Sequence, residues 1–191
     1  GSPVSSSGST VDKFDFSDDS RTTLDPGLSL ARYQLAAMAN SGTAGYFGGG
    51  YASAQLGVYD TVDKFAFPSD SRTTLDPGLT DGTRLLAGMA NSGTAGYFGG
   101  GSTVTSGGGY ELTVYKFAFS DDSRTTLGTG LSAAKHSLAG MANSGTAGYF
   151  GGGRTTSAYL TTVDKFAFPS DSDSTLGIGL SDPRTGPGAM A

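Results

Sequence analysis

Hydrophobic and polar positions alternate in short bursts along this chain, and the bursts return. In "VDKFAF" (62–67), Val62 and Lys64 fall on one side of an extended strand and Phe65 and Phe67 on the other. The same pattern starts again at Val11, Val114 and Val163. Its first aromatic stands at Phe14, Phe65, Phe117 and Phe166, spacings of 51, 52 and 49 residues. A second mark, "ANSGTAGYFGGG", begins without any substitution at Ala39, Ala90 and Ala142. A third ends in Met-Ala, at Met38, Met89, Met141 and Met190.

One period predicts four short strands, at 32–39, 44–48, 62–67 and 73–75. "NSGT" supplies the Asn and Gly that tight hairpins need for positive φ, and "FPSDSR" places Pro, Ser and Asp where a chain reverses. A unit of roughly 40 to 50 residues with four strands cannot bury both sheet faces alone, so it stacks on its neighbours. The expected fold is therefore all-β: a β-propeller of four-stranded antiparallel blades of about 50 residues, about four blades per chain. It forms one domain over 1–191. Repeat marks lie at 11–28, 32–79, 84–131 and 135–180, with 184–191 as a closing strand.

Composition narrows the function classes. Glycine is 32 of 191 residues and only 15% are charged, which does not suit a helical bundle. A net charge of −5 with scattered basic residues offers no field for phosphate backbones, so nucleic acid is not an expected partner. No apolar run approaches the roughly 20 residues of a membrane-spanning helix, and membrane insertion is not expected. The absence of cysteine rules out disulfides and thiolate metal sites but leaves the compartment open.

The ordered marks in "LARYQLAAMANSGTAGYFGGG…VDKFAFPSDSRTTL" resemble the Kelch repeat. A cation precedes the first strand (Arg32, Arg84, Lys135, Arg184), and an aromatic with a glycine doublet ends the second (Phe47-Gly48-Gly49 and its copies at Phe98 and Phe150). The pattern departs where Kelch repeats have Tyr in the third strand and Trp seven residues later. This chain has Phe65 and then Arg72, and no Trp at all. The resemblance implies rings of six to eight blades. It also brings in arrays on phage and bacterial surfaces, which favours an extracellular or virion-surface location, and galactose oxidase, whose copper ligands have no candidates here.

Candidate chemistry is sparse. The only histidine, His136, has no second His and no Cys to work with. The acidic turns at Asp18-Asp19, Asp70, Asp121-Asp122 and Asp171-Asp173 lack the calcium loop pattern with a distal Glu. They read as turns whose Asp and Ser cap backbone amides, with Arg21, Arg72 and Arg124 pairing to neighbouring carboxylates. No catalytic residue, metal site or cofactor is expected, and the chain is read as a non-enzyme.

The copies differ most between their second and third strands, at 51–61, 102–113 and 154–162, and in the connection from the fourth strand to the next repeat. Up-and-down strands put both on one face. Loops on a rigid scaffold are where binding resides, which makes Tyr51, Tyr59, Tyr110, Tyr159 and Arg154 the candidate ligand residues. The expected function is a non-enzymatic binding or structural propeller presenting these loops to a glycan or protein. The alternative is an engineered or excised repeat fragment that assembles with itself and has no ligand of its own. Counting gives fifteen strands where four blades need sixteen. The expectation is a homo-oligomer in which two chains exchange terminal strands into an eight-bladed ring, with a closed four-bladed monomer as runner-up.

Overall fold

The computed structural model describes residues 7–103 and 109–188, and among these every regular element is a β-strand. The second repeat forms a four-stranded antiparallel sheet from β3 (Ala36–Asn40), β4 (Ala44–Gly48), β7 (Val62–Ala66) and β8 (Ser71–Thr74). A small hairpin, β5 (Tyr51–Ala52) with β6 (Gly57–Val58), sits in the loop between β4 and β7. The third repeat uses β9 (Ala87–Asn91), β10 (Ala95–Gly99), β11 (Val114–Ala118) and β12 (Arg124–Thr126). The fourth uses β13 (Ala139–Asn143), β14 (Ala147–Gly151), β15 (Val163–Ala167) and β16 (Ser172–Thr175). The first sheet has two strands, β1 (Asp12–Phe14) and β2 (Arg21–Thr23), which correspond to the third and fourth strands of the others.

Register repeats from sheet to sheet. Tyr46 lies opposite Lys64, Tyr97 opposite Lys116 and Tyr149 opposite Lys165. The "NSGT" hairpin turns as expected, with Gly42 at φ 71° and the Thr43 amide donating to the Asn40 carbonyl. In the acidic turns, Asp19, Asp70, Asp122 and Asp171 adopt left-handed φ values of 55–58°, which Asp tolerates better than most side chains.

The hydrophobic core is not one mass but a layer between each pair of neighbouring sheets. Leu24, Leu28 and Phe65 join the first sheet to the second. Tyr46, Val62, Phe98 and Phe117 join the second to the third, and Tyr97, Val114, Phe150 and Phe166 the third to the fourth. Both faces of a strand such as β7 are thereby buried, Phe65 toward one neighbour and Val62 toward the other. The invariant glycines serve this stacking. The Phe98 ring lies 2.7 Å from where a Gly48 Cβ would stand, and the next two glycines turn the chain at φ 70° and 109°.

Several expectations need correction. The first strands start at 36, 87 and 139, later than 32–39 implied, because Gln34, Leu85 and Ser137 take φ 59°, 58° and 53°. These residues hold sheet to sheet: Leu85 N donates to Gln34 O and Ser137 N to Leu85 O. The cation alignment shifts too. Thr83, not Arg84, occupies the place of Arg32 and Lys135, since Thr83 N pairs with Tyr59 O as Lys135 N does with Glu111 O. Fourteen of the fifteen expected strands are present among the described residues, and the β5–β6 hairpin adds to them. Residues 189–191 of the expected closing strand lie outside the described residues. Its described part runs along the fourth repeat, with Arg184 N donating to Leu160 O and Gly186 N to Ser137 O.

Candidate functional site: the variable face

The buried polar groups behind the loops show how each connection is fixed. Arg32 Nη2 lies 2.9 Å from Asp63 Oδ2, both side chains fully buried, and a second bond runs to the Phe47 carbonyl. Burial alone would raise the Asp63 carboxyl. Hydrogen bonds from Thr74 and Ser29, with the Arg32 charge, outweigh it and hold the pKa below its ordinary 3.8. The fourth sheet repeats the pair as Lys135 Nζ and Asp164 Oδ2, 2.9 Å apart. In the third sheet both members change together: Tyr115 replaces the Asp, Thr83 replaces the cation, and the Tyr115 hydroxyl bonds Thr80 Oγ1 at 2.7 Å.

On this frame the variable connections come together. Tyr33 pairs with Tyr51, Arg84 with Ser102 and His136 with Arg154, each joining a repeat's entry to the loop after its second strand. Tyr33 and Tyr51 meet edge to face at 5.4 Å, and the Arg84 guanidinium lies 5.5 Å over the Tyr51 ring. Ser102 bridges to Tyr110, whose ring sits 4.4 Å from that of His136. Arg154 then lies 5.4 Å over Tyr159, which is 54% exposed. Burial, and then the charges of Arg154 and Arg84, lower the His136 pKa from 6.5, so the imidazole is neutral at pH 7. Its Nδ1 is 2.9 Å from Ser137 Oγ.

Four of the five candidate residues, Tyr51, Tyr110, Arg154 and Tyr159, thus belong to one row of alternating rings and cations across three repeats. Tyr59 differs: its ring rests on Gly57 and its backbone ties Gly50 to Thr83. Sequence reading missed Tyr33, Arg84 and His136 as members. The available signal was that the position five residues before each Met-Ala differs in every copy.

The opposite face carries the acidic turns, and their partners are not the expected arginines. Arg72 and Arg124 donate to the carbonyls of Gly27 and Gly78, both at 2.8 Å. The carboxylates take lysines of the preceding sheet: Lys13 to Asp70 at 2.7 Å, Lys64 to Asp122 at 2.6 Å and Lys116 to Asp171 at 2.5 Å. Tyr46 and Tyr97 hydroxyls donate to the other oxygens of Asp122 and Asp171. Burial first, then the carboxylate, raises both tyrosine pKa values well above 10, so the hydroxyls remain donors. A cavity of about 860 Å³ also opens at this end, between hairpins of small residues such as Ala39, Ala90 and Ala142, and includes no ionisable side chain.

No protein-family model matches the chain, and no curated protein matches it. The Kelch resemblance therefore rests on the repeat marks alone. Among solved structures, that of YjhT superposes over 95% of this chain and 67% of its own, with a TM-score of 0.71 at 14% identity. At that identity the likeness concerns the fold: an all-β chain of stacked four-stranded antiparallel sheets, similar in arrangement to two thirds of YjhT.

Proposed function

We propose that the sheets are blades of a β-propeller and that the chain is a non-enzymatic binding module whose variable face holds a glycan bearing anionic groups. The row Tyr33, Tyr51, Arg84, Tyr110, His136, Arg154 and Tyr159 carries this reading. Aromatic rings stack on sugar faces, and guanidiniums take carboxylate or sulfate in two-pronged hydrogen bonds. Arg84 and Arg154 supply the two positive charges at which such groups would be held. A glycan array with neutral, carboxylated and sulfated members tests it. Binding should favour the anionic members and be lost in an Arg154→Ala/Tyr159→Ala variant whose melting temperature stays within about 2 °C of the parent, since both side chains lie at the surface. A blank array, or binding that the variant retains, would refute the reading.

A second reading, self-assembly end to end, has its own support in the Lys, Tyr and Asp clamp. The fourth sheet carries Lys165 and Tyr149 with no acid beside them among the described residues. The first sheet carries Asp19 with no Lys or Tyr, and its Phe16 is 98% exposed where the equivalent Phe119 and Phe168 are stacked on tyrosines. One chain's fourth sheet therefore matches a second chain's first, and two such contacts make the expected eight-bladed ring. Single charge reversals, Asp19→Lys or Lys165→Asp, should each leave a species near 19.2 kDa by light scattering, and mixing the two variants should restore a doubled mass. Parent protein that stays at the single-chain mass at every concentration would sink this reading.

A further inference from the structure

We infer that the first sheet contains a docking slot for one extended strand bearing a Tyr-Phe pair, with the chemistry of the repeat's own second strand. The slot is a groove of about 490 Å³ between β1 and the second sheet. Each of the other sheets has the strand Ala-Gly-Tyr-Phe-Gly in the place this groove occupies, and three features of the groove match that strand.

The first feature is an oxygen. Asp122 and Asp171 each take a lysine on one carboxylate oxygen and a tyrosine hydroxyl on the other. Asp70 takes Lys13 on Oδ2, but its Oδ1 is buried with no hydrogen-bond partner. A buried carboxylate oxygen without a donor is costly, and a tyrosine hydroxyl arriving opposite Lys13 would satisfy it. The second feature is a pair of rings. Phe65, Phe117 and Phe166 are each capped edge to face by the phenylalanine of the adjacent strand, at 5.8, 6.0 and 5.9 Å, and are 2% exposed or less. Phe14, their equivalent on β1, is 59% exposed. Phe67, where Phe119 and Phe168 stack on a tyrosine, is 40% exposed. The third is the edge of β1 itself, which pairs only with β2 among the described residues, so its other side can accept a strand.

In the shared register, the incoming Tyr would lie opposite Lys13 and the incoming Phe opposite Asp12, as Tyr46 and Phe47 lie opposite Lys64 and Asp63. The occupant is a single strand of this repeat's own second-strand chemistry. Ser7 to Ser9, the described part of the terminal segment, are engaged elsewhere, with Ser53, Arg32 and Leu28. The inference does not depend on the glycan reading or on end-to-end assembly.

The probe is a fluorescently labelled peptide, Asn-Ser-Gly-Thr-Ala-Gly-Tyr-Phe-Gly-Gly-Gly, added to the full chain and followed by anisotropy and hydrogen exchange. Saturable binding of one peptide per chain is expected, with slowed exchange at 12–14. Replacing the peptide's Tyr by Phe should weaken binding about tenfold, the scale of a hydrogen bond to a charged group. That penalty should vanish on an Asp70→Gly chain, since glycine accepts the φ of 55° at this turn, and persist on an Asp19→Gly chain. No saturable binding to the parent, no Tyr-to-Phe penalty on the parent, or an equal penalty on the Asp70→Gly chain would each overturn the inference.

Discussion

Removing the Asp63 carboxylate alone, as Asp63→Ala, should cost about 3–5 kcal/mol, because it strands the buried Arg32 guanidinium. Asp63 and Arg32 are both fully buried, and two of the three Arg32 nitrogens already lack hydrogen-bond partners. The chain contains its own compensating solution. The third sheet has Tyr115 and Thr83 in these two places, and Ser29 stands where the Thr80 hydroxyl shares a hydrogen bond with that of Tyr115. Asp63→Tyr and Arg32→Thr should therefore each be strongly destabilising while the double change recovers all but about 1 kcal/mol, a coupling that urea denaturation of the four proteins would measure. A double mutant as unstable as the sum of the singles would show that the two positions do not act as a unit. The parent should also lose more stability in acid than the double variant, which lacks the Asp63 contribution. Asp63 has a depressed folded pKa, so its contribution is complete above the unfolded value of 3.8 and declines as pH falls through the lower folded value.

Inverse substitutions at two equivalent positions should cost very different amounts. Gly88→Ala would place a Cβ on the Ala37 backbone carbonyl of the neighbouring sheet, which cannot move without shifting β3. The expected cost is about 3 kcal/mol, the upper end of what overpacking brings. Gly140 faces the Gly88 carbonyl in the same way. Ala37 is the equivalent residue of the second sheet, where no inner strand precedes it among the described residues, and it is exposed. Ala37→Gly should cost no more than about 1 kcal/mol, the backbone-entropy penalty of glycine in a strand. Thermal melts of both variants decide it, and equal shifts would contradict the close approach of the inner strands.

The all-β class, the four-stranded repeat unit and its hairpins were legible in the sequence because they depend on local chemistry that recurs. Alternation places Val62 and Phe65 on opposite faces whatever surrounds them, and Gly42 turns the hairpin by its own conformational freedom. The concentration of variation in the loops after the second strands was equally plain. Interactions between repeats were not. Arg32 finds Asp63 across 31 positions, and Lys64 finds Asp122 across 58, rather than the arginines that lie closest to each acidic turn in the chain. Gln34, Leu85 and Ser137 share a left-handed φ without sharing any side-chain property, because their carbonyls and amides join one sheet to the next. That link also explains why the first strands begin late and why Arg84 falls beside Tyr51 instead of in the buried place of Arg32. Local pattern sets what each strand is. Which carboxylate a lysine meets, and which rings and guanidiniums share a face, is decided by how neighbouring sheets stack, since burial between them makes each unpaired polar group costly.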